Sequence, residues 1–222
     1  MNYAMVARLV LKDWHLNRVT MAMLFVGGVV ALGLIVRGGE IAGVMGLSFA
    51  FVVLILAGIM PPMWSIVQER KNKSLAFVMS LPISAFEYTL AKVVANTSMY
   101  VVVWLAIVAS VLWMLAAGGY VGWVPLGVLV SLAPMAAFFL LVAVSLVSES
   151  EGWSILVMSA CNVSYSFAWY LLIRQPQVRA DATSGTAVWS ALIVSIVAVE
   201  LGVIVLSLVL TFYLQSRKTN FV

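Results

Sequence analysis

Three polar or aromatic side chains with a common helical spacing lie inside one apolar stretch of the chain. Asn162, Tyr165 and Trp169 share one face of a helix, and Ser154 and Met158 continue that face toward its start. Amide, phenol and indole groups are unfavourable against lipid. This face is therefore expected either to line a substrate pathway or to form a hydrogen-bonded contact with another helix or subunit.

Glu200 is the other candidate, because it lies near the middle of a long apolar run. A carboxylate there costs on the order of 2.5–3.5 kcal/mol on insertion scales, so it should face protein or water. It can contact a substrate or cation, act in a proton-linked switch, or pack against a neighbouring helix. The residue type alone leaves these alternatives open.

The motifs of common enzymes are absent from the sequence. No G-x-x-x-x-G-K-[ST] pattern for ATP is present, and the one histidine, His15, precedes the first apolar run. Cys161 is the one cysteine, so neither an internal disulfide nor a cysteine metal site can form. We therefore predict that this chain is not an enzyme and holds no cofactor or metal.

The elements that position these residues must be membrane helices. Of the 222 residues, 64% are hydrophobic and only 9% are charged, whereas soluble domains are about one-quarter charged. About 20 apolar residues cross a bilayer as a helix. We predict an all-α membrane protein, a single transmembrane domain over residues 1–222, with six transmembrane helices at 19–36, 41–67, 93–117, 123–147, 153–173 and 187–214.

The distribution of basic residues predicts the orientation. Nine of the twelve Lys and Arg residues lie on one side of the six predicted helices, either before helix 1 or 3 or after helix 2 or 6. They are Arg8, Lys12, Arg18, Arg70, Lys71, Lys73, Lys92, Arg217 and Lys218. Cytoplasmic segments carry such an excess. We therefore expect both termini in the cytoplasm and a multi-pass protein of the bacterial cytoplasmic (inner) membrane, in contact with lipid and not with nucleic acid.

Residues 1–18 form the pattern of an amphipathic helix. Val6, Val10 and Trp14 fall near one face, and Arg8 and Lys12 fall on the other. Such a helix typically lies along the membrane surface with its cations toward anionic lipid. It serves either as an orientation anchor or as a docking element for a partner.

A short apolar stretch at residues 75–81 follows the polar residues 69–74 and is too brief to cross a membrane. Pro82 ends it, since the residue before a proline is disfavoured in a helix. Ser84 and Glu87 then have the spacing of a capping box, which predicts that the next helix begins there. The apolar side chains of the short helix either dip into the membrane interface or pack in a groove of a partner protein.

The same segment resembles the signature of type-2 ABC exporter permeases, in which an acidic residue, a Gly-Thr or Gly-Ser pair, a proline turn and a later lysine follow the second span. The matching residues are Glu69, Ser74-Leu75, Ser80-Leu81-Pro82-Ile83-Ser84, Glu87-Tyr88 and Ala91-Lys92. Lys73 stands where the family usually has glycine. The order of elements also matches along the whole chain, including a cytoplasmic coupling helix between helices 2 and 3.

This resemblance implies a function and partners. Two permease subunits, identical or different, would form the pathway, and a separate ABC ATPase subunit would bind ATP and Mg below them. The coupling helix would lie in a cleft of the ATPase, and the N-terminal helix would contact the same partner. The residues implied in coupling are Glu69, Arg70, Lys73, Ser74, Leu75, Phe77, Val78, Met79 and Pro82.

Two other functions compete with an exporter permease. The chain could be a non-transporting membrane scaffold that recruits a cytoplasmic partner, or an intramembrane enzyme that uses a buried polar group such as Glu200. The weakly polar, aromatic character of the candidate pathway favours an amphipathic peptide, a drug or another apolar compound as cargo.

Overall fold

The computed structural model of the protein describes residues 3–72, 83–148 and 150–217, without the side chain of Glu40. Every element in these residues is helical, as predicted. The α-helices are α1 (Tyr3–Arg37), α2 (Glu40–Pro62), α3 (Gln68–Lys71), α4 (Ala85–Ala117), α5 (Val124–Val147), α6 (Glu151–Ile173), α7 (Pro176–Thr183) and α8 (Ala191–Ser216). A π-helical turn, Met63–Val67, joins α2 to α3, and a 3₁₀ turn, Val121–Trp123, precedes α5.

In the described part of the chain, six helical segments are long and apolar enough to cross a membrane. They are α1, the α2–α3 segment, α4, α5, α6 and α8. The shortest, α6, has 23 residues, which corresponds to about 35 Å at ~1.5 Å per residue. The predicted number of six spanning helices is thus confirmed, and the fold fits a multi-pass membrane protein.

The first helix differs from the prediction, because α1 runs without a break from Tyr3 to Arg37. The amphipathic segment predicted at residues 1–18 is therefore the first part of the first long helix. Its apolar face, with Val6, Val10 and Trp14, packs against the main core. The Trp14 indole N–H also donates to the Ser98 hydroxyl at 2.9 Å. The first part of α1 is therefore in contact with α4.

The second helix changes its winding where two prolines occur. Pro61 and Pro62 lie inside the end of α2, and the π-helical turn follows at once. Proline lacks a backbone N–H, which loosens the helix at this point, and π turns are often found at functional sites. Ser65 within the turn and Glu69 beyond it are both buried.

The fourth helix begins where the capping box predicts. The Glu87 backbone N–H donates to the Ser84 hydroxyl at 3.2 Å, and the Ser84 backbone N–H donates to the Glu87 carboxylate at 2.8 Å. The helix therefore starts eight residues before the predicted apolar run at 93–117, and it brings Tyr88 and Lys92 into regular structure. The predicted coupling helix lies outside the described residues.

The main core lies among α1, α2, α4 and α5. Its largest buried side chains include Met99, Tyr100, Phe138 and Leu146, and the rings of Tyr100 and Phe138 stack with centroids 4.4 Å apart. Helix α6 is peripheral, since Ser154 and Leu172 are its buried residues in the described structure. One side of α6 is thus open to lipid or to another subunit.

Six chain segments converge at one end of the bundle, here called the charged end: the starts of α1, α4 and α6, the segment α3, and the ends of α5 and α8. Ion pairs link α1 with α3 and α4, and α3 with α6. Gln215 at the end of α8 donates to the Leu146 carbonyl at the end of α5. The positions of these contacts show that both described chain ends lie at the charged end.

Close packing of α1 against α2 depends on Gly46. A Cβ atom added at Gly46 would lie 2.7 Å from Ile35 Cγ1 and 2.8 Å from the Ala31 carbonyl oxygen, whereas one added at Gly43 would meet nothing within 4 Å. Small residues allow such approaches between membrane helices. We predict that Gly46→Ala lowers the free energy of unfolding by about 1–3 kcal/mol relative to Gly43→Ala.

Gly43→Ala is the matched control for Gly46→Ala because both changes add the same helix propensity on the same helix. Denaturant unfolding of the two variants in detergent measures the difference. Equal midpoints would contradict the close α1–α2 contact.

Candidate functional site

A buried lysine joins three helical segments at the charged end. The Lys92 ammonium group contacts both carboxylate oxygens of Asp13, at 3.1 and 2.9 Å, and Glu69 Oε2 at 2.6 Å. It also donates to the Ser65 carbonyl oxygen at 2.7 Å. The ammonium group is thus surrounded by oxygen acceptors from α1, the π turn and α3.

The Glu69 carboxylate is shared between two lysines. The Lys12 ammonium group contacts Glu69 Oε1 at 2.5 Å, and the Tyr88 hydroxyl donates to Glu69 Oε2 at 3.3 Å. Lys12 and Lys92 carry two formal positive charges, and Asp13 and Glu69 carry two negative ones. We call these four residues the Lys92 network, and it is formally neutral.

Uncharged side chains surround the Lys92 network and hold its backbone in place. The Ser65 hydroxyl donates to the Asn96 side-chain oxygen at 3.0 Å, and the Asn96 amide donates to the Lys92 carbonyl at 2.8 Å. On α1, the Asn17 amide donates to the Asp13 carbonyl at 3.0 Å. These hydrogen bonds therefore hold the backbone that carries Lys92 and Asp13.

The contribution of these ion pairs to the stability of the fold depends on how deeply they are buried. The side chains of Lys92 and Asp13 are 2% and 1% exposed, and that of Glu69 is 6% exposed, whereas Lys12 is 45% exposed. Surface ion pairs contribute about 0–1 kcal/mol. Removal of one partner from a buried pair, by contrast, typically costs about 3–5 kcal/mol because it leaves an uncompensated charge. The Lys92 network therefore holds α1, α3 and α4 in one relative position.

Arg70, which follows Glu69 in α3, binds the end of α5. Its guanidinium group donates to the carbonyl oxygens of Ser145 at 2.8 Å, Leu146 at 2.7 Å and Ser148. The last carbonyls of a helix lack backbone partners and carry partial negative charge, so a planar cation satisfies them well. Adjacent residues Glu69 and Arg70 thus connect α3 to opposite sides of the bundle.

The predicted coupling residues divide into two groups. Glu69 and Arg70 lie in α3 and are placed by the contacts above. Outside the described residues lie Lys73, Ser74, Leu75, Phe77, Val78, Met79 and Pro82. The segment that joins α3 to α4 therefore has both flanks anchored, Glu69 before it and Lys92 after it.

Sequence reasoning missed Asp13. It lies among the residues of α1 that the protein buries, with Leu9 and Asn17 one turn before and after it. This spacing was visible in the sequence, because Leu9, Asp13, Asn17 and Met21 recur every four residues. Asp13 is an acidic residue on the same helix face as Leu9 and Met21. An acidic side chain on a face with apolar residues indicates a buried cation that pairs with it.

The predicted polar face of α6 turns toward the protein, although most of the helix is exposed. Ser154 is buried and its hydroxyl lies 2.9 Å from that of Ser145, while Met158, Asn162 and Tyr165 are half-buried. The Tyr165 ring stacks on Phe51 of α2 with centroids 4.5 Å apart. The helical spacing thus identified the correct face of α6.

Three of the four predicted pathway residues line one cavity. The cavity measures about 300 Å³ and lies among α2, α5, α6 and α8, with Asn162, Tyr165 and Glu200 in its wall. Trp169 lies apart from it and packs against a second apolar cluster that includes Leu126 and Ile193. The structure therefore brings Glu200 to the predicted face of α6 and separates Trp169 from it.

Comparison of the chain with protein-family models, curated proteins and solved structures gives no match. Within the described residues, no cluster of three or more His, Cys, Asp or Glu side chains is arranged to hold a metal ion. The chemistry of the Lys92 network and of the cavity is therefore the basis for a functional assignment.

Replacement of Lys92 by methionine should destabilise the protein strongly. Lys92→Met keeps the length of the side chain but leaves Asp13 buried beside Glu69, so we expect the free energy of unfolding to fall by about 3–5 kcal/mol. Lys71→Met is the matched control, because Lys71 pairs with Glu151 at 3.3 Å on the surface. Its loss should cost about 0–1 kcal/mol.

The origin of this destabilisation can be separated from simple loss of packing. The triple variant Asp13→Asn, Glu69→Gln, Lys92→Met removes the buried charges together and should be more stable than Lys92→Met alone. Thermal or denaturant unfolding in detergent gives the ranking. If the triple variant is the least stable of the set, buried charge is not what makes Lys92 necessary.

Proposed function

We propose that this chain is the membrane permease subunit of an ABC-type exporter. It moves a substrate out of the cytoplasm while a separate ATPase subunit binds ATP and Mg and hydrolyses the nucleotide. Two permease subunits, identical or different, form the pathway. The charged end faces the cytoplasm of a bacterium, so that both chain termini lie inside.

The observation that carries this proposal is the ion pair between Glu69 and Lys92, at 2.6 Å. These two residues flank the segment that resembles a coupling helix. A segment can transmit force from a partner to membrane helices only if its own ends are held. Because Asp13 joins the same ion pair, a displacement of this segment acts on α1, α3 and α4 together.

Other contacts extend this connection to the remaining helices. Arg70 holds the carbonyl end of α5, and Gln215 of α8 donates to the same Leu146 carbonyl. The cavity lies between α2, α5, α6 and α8, away from the charged end along those helices. Movement imposed on α3 therefore has a contact route to the helices that enclose the cavity.

Loss of the apolar side chains of the coupling segment should abolish binding of the ATPase. We expect the double variant Leu75→Asp, Phe77→Asp not to co-purify with the partner ATPase, because two carboxylates would have to be buried in its cleft. The control is Val36→Asp, Tyr120→Asp, which changes two exposed apolar residues at the other end of the bundle. It should leave the complex intact.

Affinity purification of the tagged chain followed by mass spectrometry measures this complex. The unfolding midpoint of each variant in detergent shows whether the fold is retained. Undiminished co-purification of a folded Leu75→Asp, Phe77→Asp variant would refute the coupling assignment.

A permease and a scaffold differ in how they respond to nucleotide. Cys161 is the single cysteine of the chain and lines the cavity, so its alkylation reports on the pathway. We expect the alkylation rate of Cys161 in the ATPase complex to change when ATP and vanadate are added. An ATPase variant that cannot bind nucleotide is the control.

Alkylation is followed on the peptide that contains Cys161 by mass spectrometry. A rate that is the same with and without nucleotide, in an intact complex, would favour a scaffold over a transporter.

A further inference from the structure

The cavity among α2, α5, α6 and α8 contains an unpaired carboxylate. Glu200 Oε2 is inaccessible and has no hydrogen-bond partner among the described residues. Of the cavity-lining residues that the structure describes, Glu200 is the one that carries a formal charge. Buried polar groups normally have partners, and one without them calls for a ligand or an ion.

Apart from Asn162, Ser164 and Cys161, the rest of the cavity wall is apolar or aromatic. Phe51 and Tyr165 stack on each other at the wall, and Pro134 and Phe138 line another part of it. Aromatic ring faces attract cations as well as apolar groups. The wall therefore offers burial of an apolar body beside one negative charge.

A divalent cation such as magnesium or calcium does not fit this donor set. Magnesium and calcium require about six or more oxygen ligands, and the described wall supplies one carboxylate with amide and phenol groups. A volume of about 300 Å³ is at the lower limit of ligand pockets. It accommodates a small organic molecule with a single ring.

We propose that this cavity binds a monovalent organic cation with an aromatic or other apolar body, with Glu200 as its counter-charge. The ammonium group lies against the carboxylate, and the ring lies against the apolar wall. Pairing offsets the cost of a carboxylate in the membrane, which is high when the group is alone. Binding needs only this chain; that the cation is the exported cargo rests on the proposed function.

Benzyltrimethylammonium is the probe, and neopentylbenzene, in which carbon replaces the nitrogen, is its neutral counterpart. Calorimetric titration of the purified chain in detergent measures binding of the cation. We expect Glu200→Gln to weaken it by about tenfold or more, because a charged partner is lost. Glu200→Asp, which keeps the charge, should retain part of the affinity, and Glu151→Gln, outside the cavity, should retain all of it.

The site of binding is located through Cys161, which lines the same cavity. The bound cation should slow alkylation of Cys161 in the wild-type chain and in Glu151→Gln, but not in Glu200→Gln. Unfolding midpoints and the ligand-free alkylation rate show that the variants keep the cavity.

Three results would overturn the proposal: no binding of the cation at millimolar concentration, equal affinity in folded Glu200→Gln, or equal protection of Cys161 by neopentylbenzene. The last would indicate a cavity for uncharged apolar molecules such as lipid chains. The titration uses the purified chain without an ATPase. A failure to bind the cation therefore does not contradict the proposed ATPase complex, and a failure to co-purify with the ATPase does not contradict cation binding.

Discussion

The arrangement of the helices at the charged end of the bundle depends on the ion pairs of the Lys92 ammonium group. It lies between Asp13 and Glu69 at 2.6–3.1 Å and is almost inaccessible. Each of these ions is too costly to bury alone, so the three are compatible with the fold only together. The ion pairs among these three residues fix α1, α3 and α4 relative to one another. Glu69 and Lys92, which flank the 73–82 segment, are therefore held by the same group of contacts.

Asp13, Glu69 and Glu200 occupy two opposite situations. Asp13 and Glu69 are fully paired, as is usual for structural ions in a protein interior. Glu200 lies in an apolar cavity with an oxygen that lacks a partner among the described residues. Paired ions hold helices in place, whereas an unpaired ion is available to a ligand. The proposed coupling and binding roles follow from this difference.

Local features were predicted well from sequence. The Ser84–Glu87 capping box, the number of long apolar helices and the inward face of α6 all depend on residues within a few turns of each other. The continuity of α1 from Tyr3 to Arg37 did not follow from the sequence. Its first part packs against α4 through the Trp14–Ser98 hydrogen bond and the Asp13–Lys92 ion pair, which join residues far apart in the chain.

By itself the sequence determined the helical class, the six apolar segments and the faces of single helices, because helical periodicity and apolar length act locally. Only the tertiary structure decided the partners. Lys92 pairs with a residue 79 positions away, and Lys12 with one 57 positions away. No spacing rule relates such residues, because their proximity results from how the helices pack. The same packing brings Glu200 of α8 to the polar face of α6 and forms the cavity among α2, α5, α6 and α8.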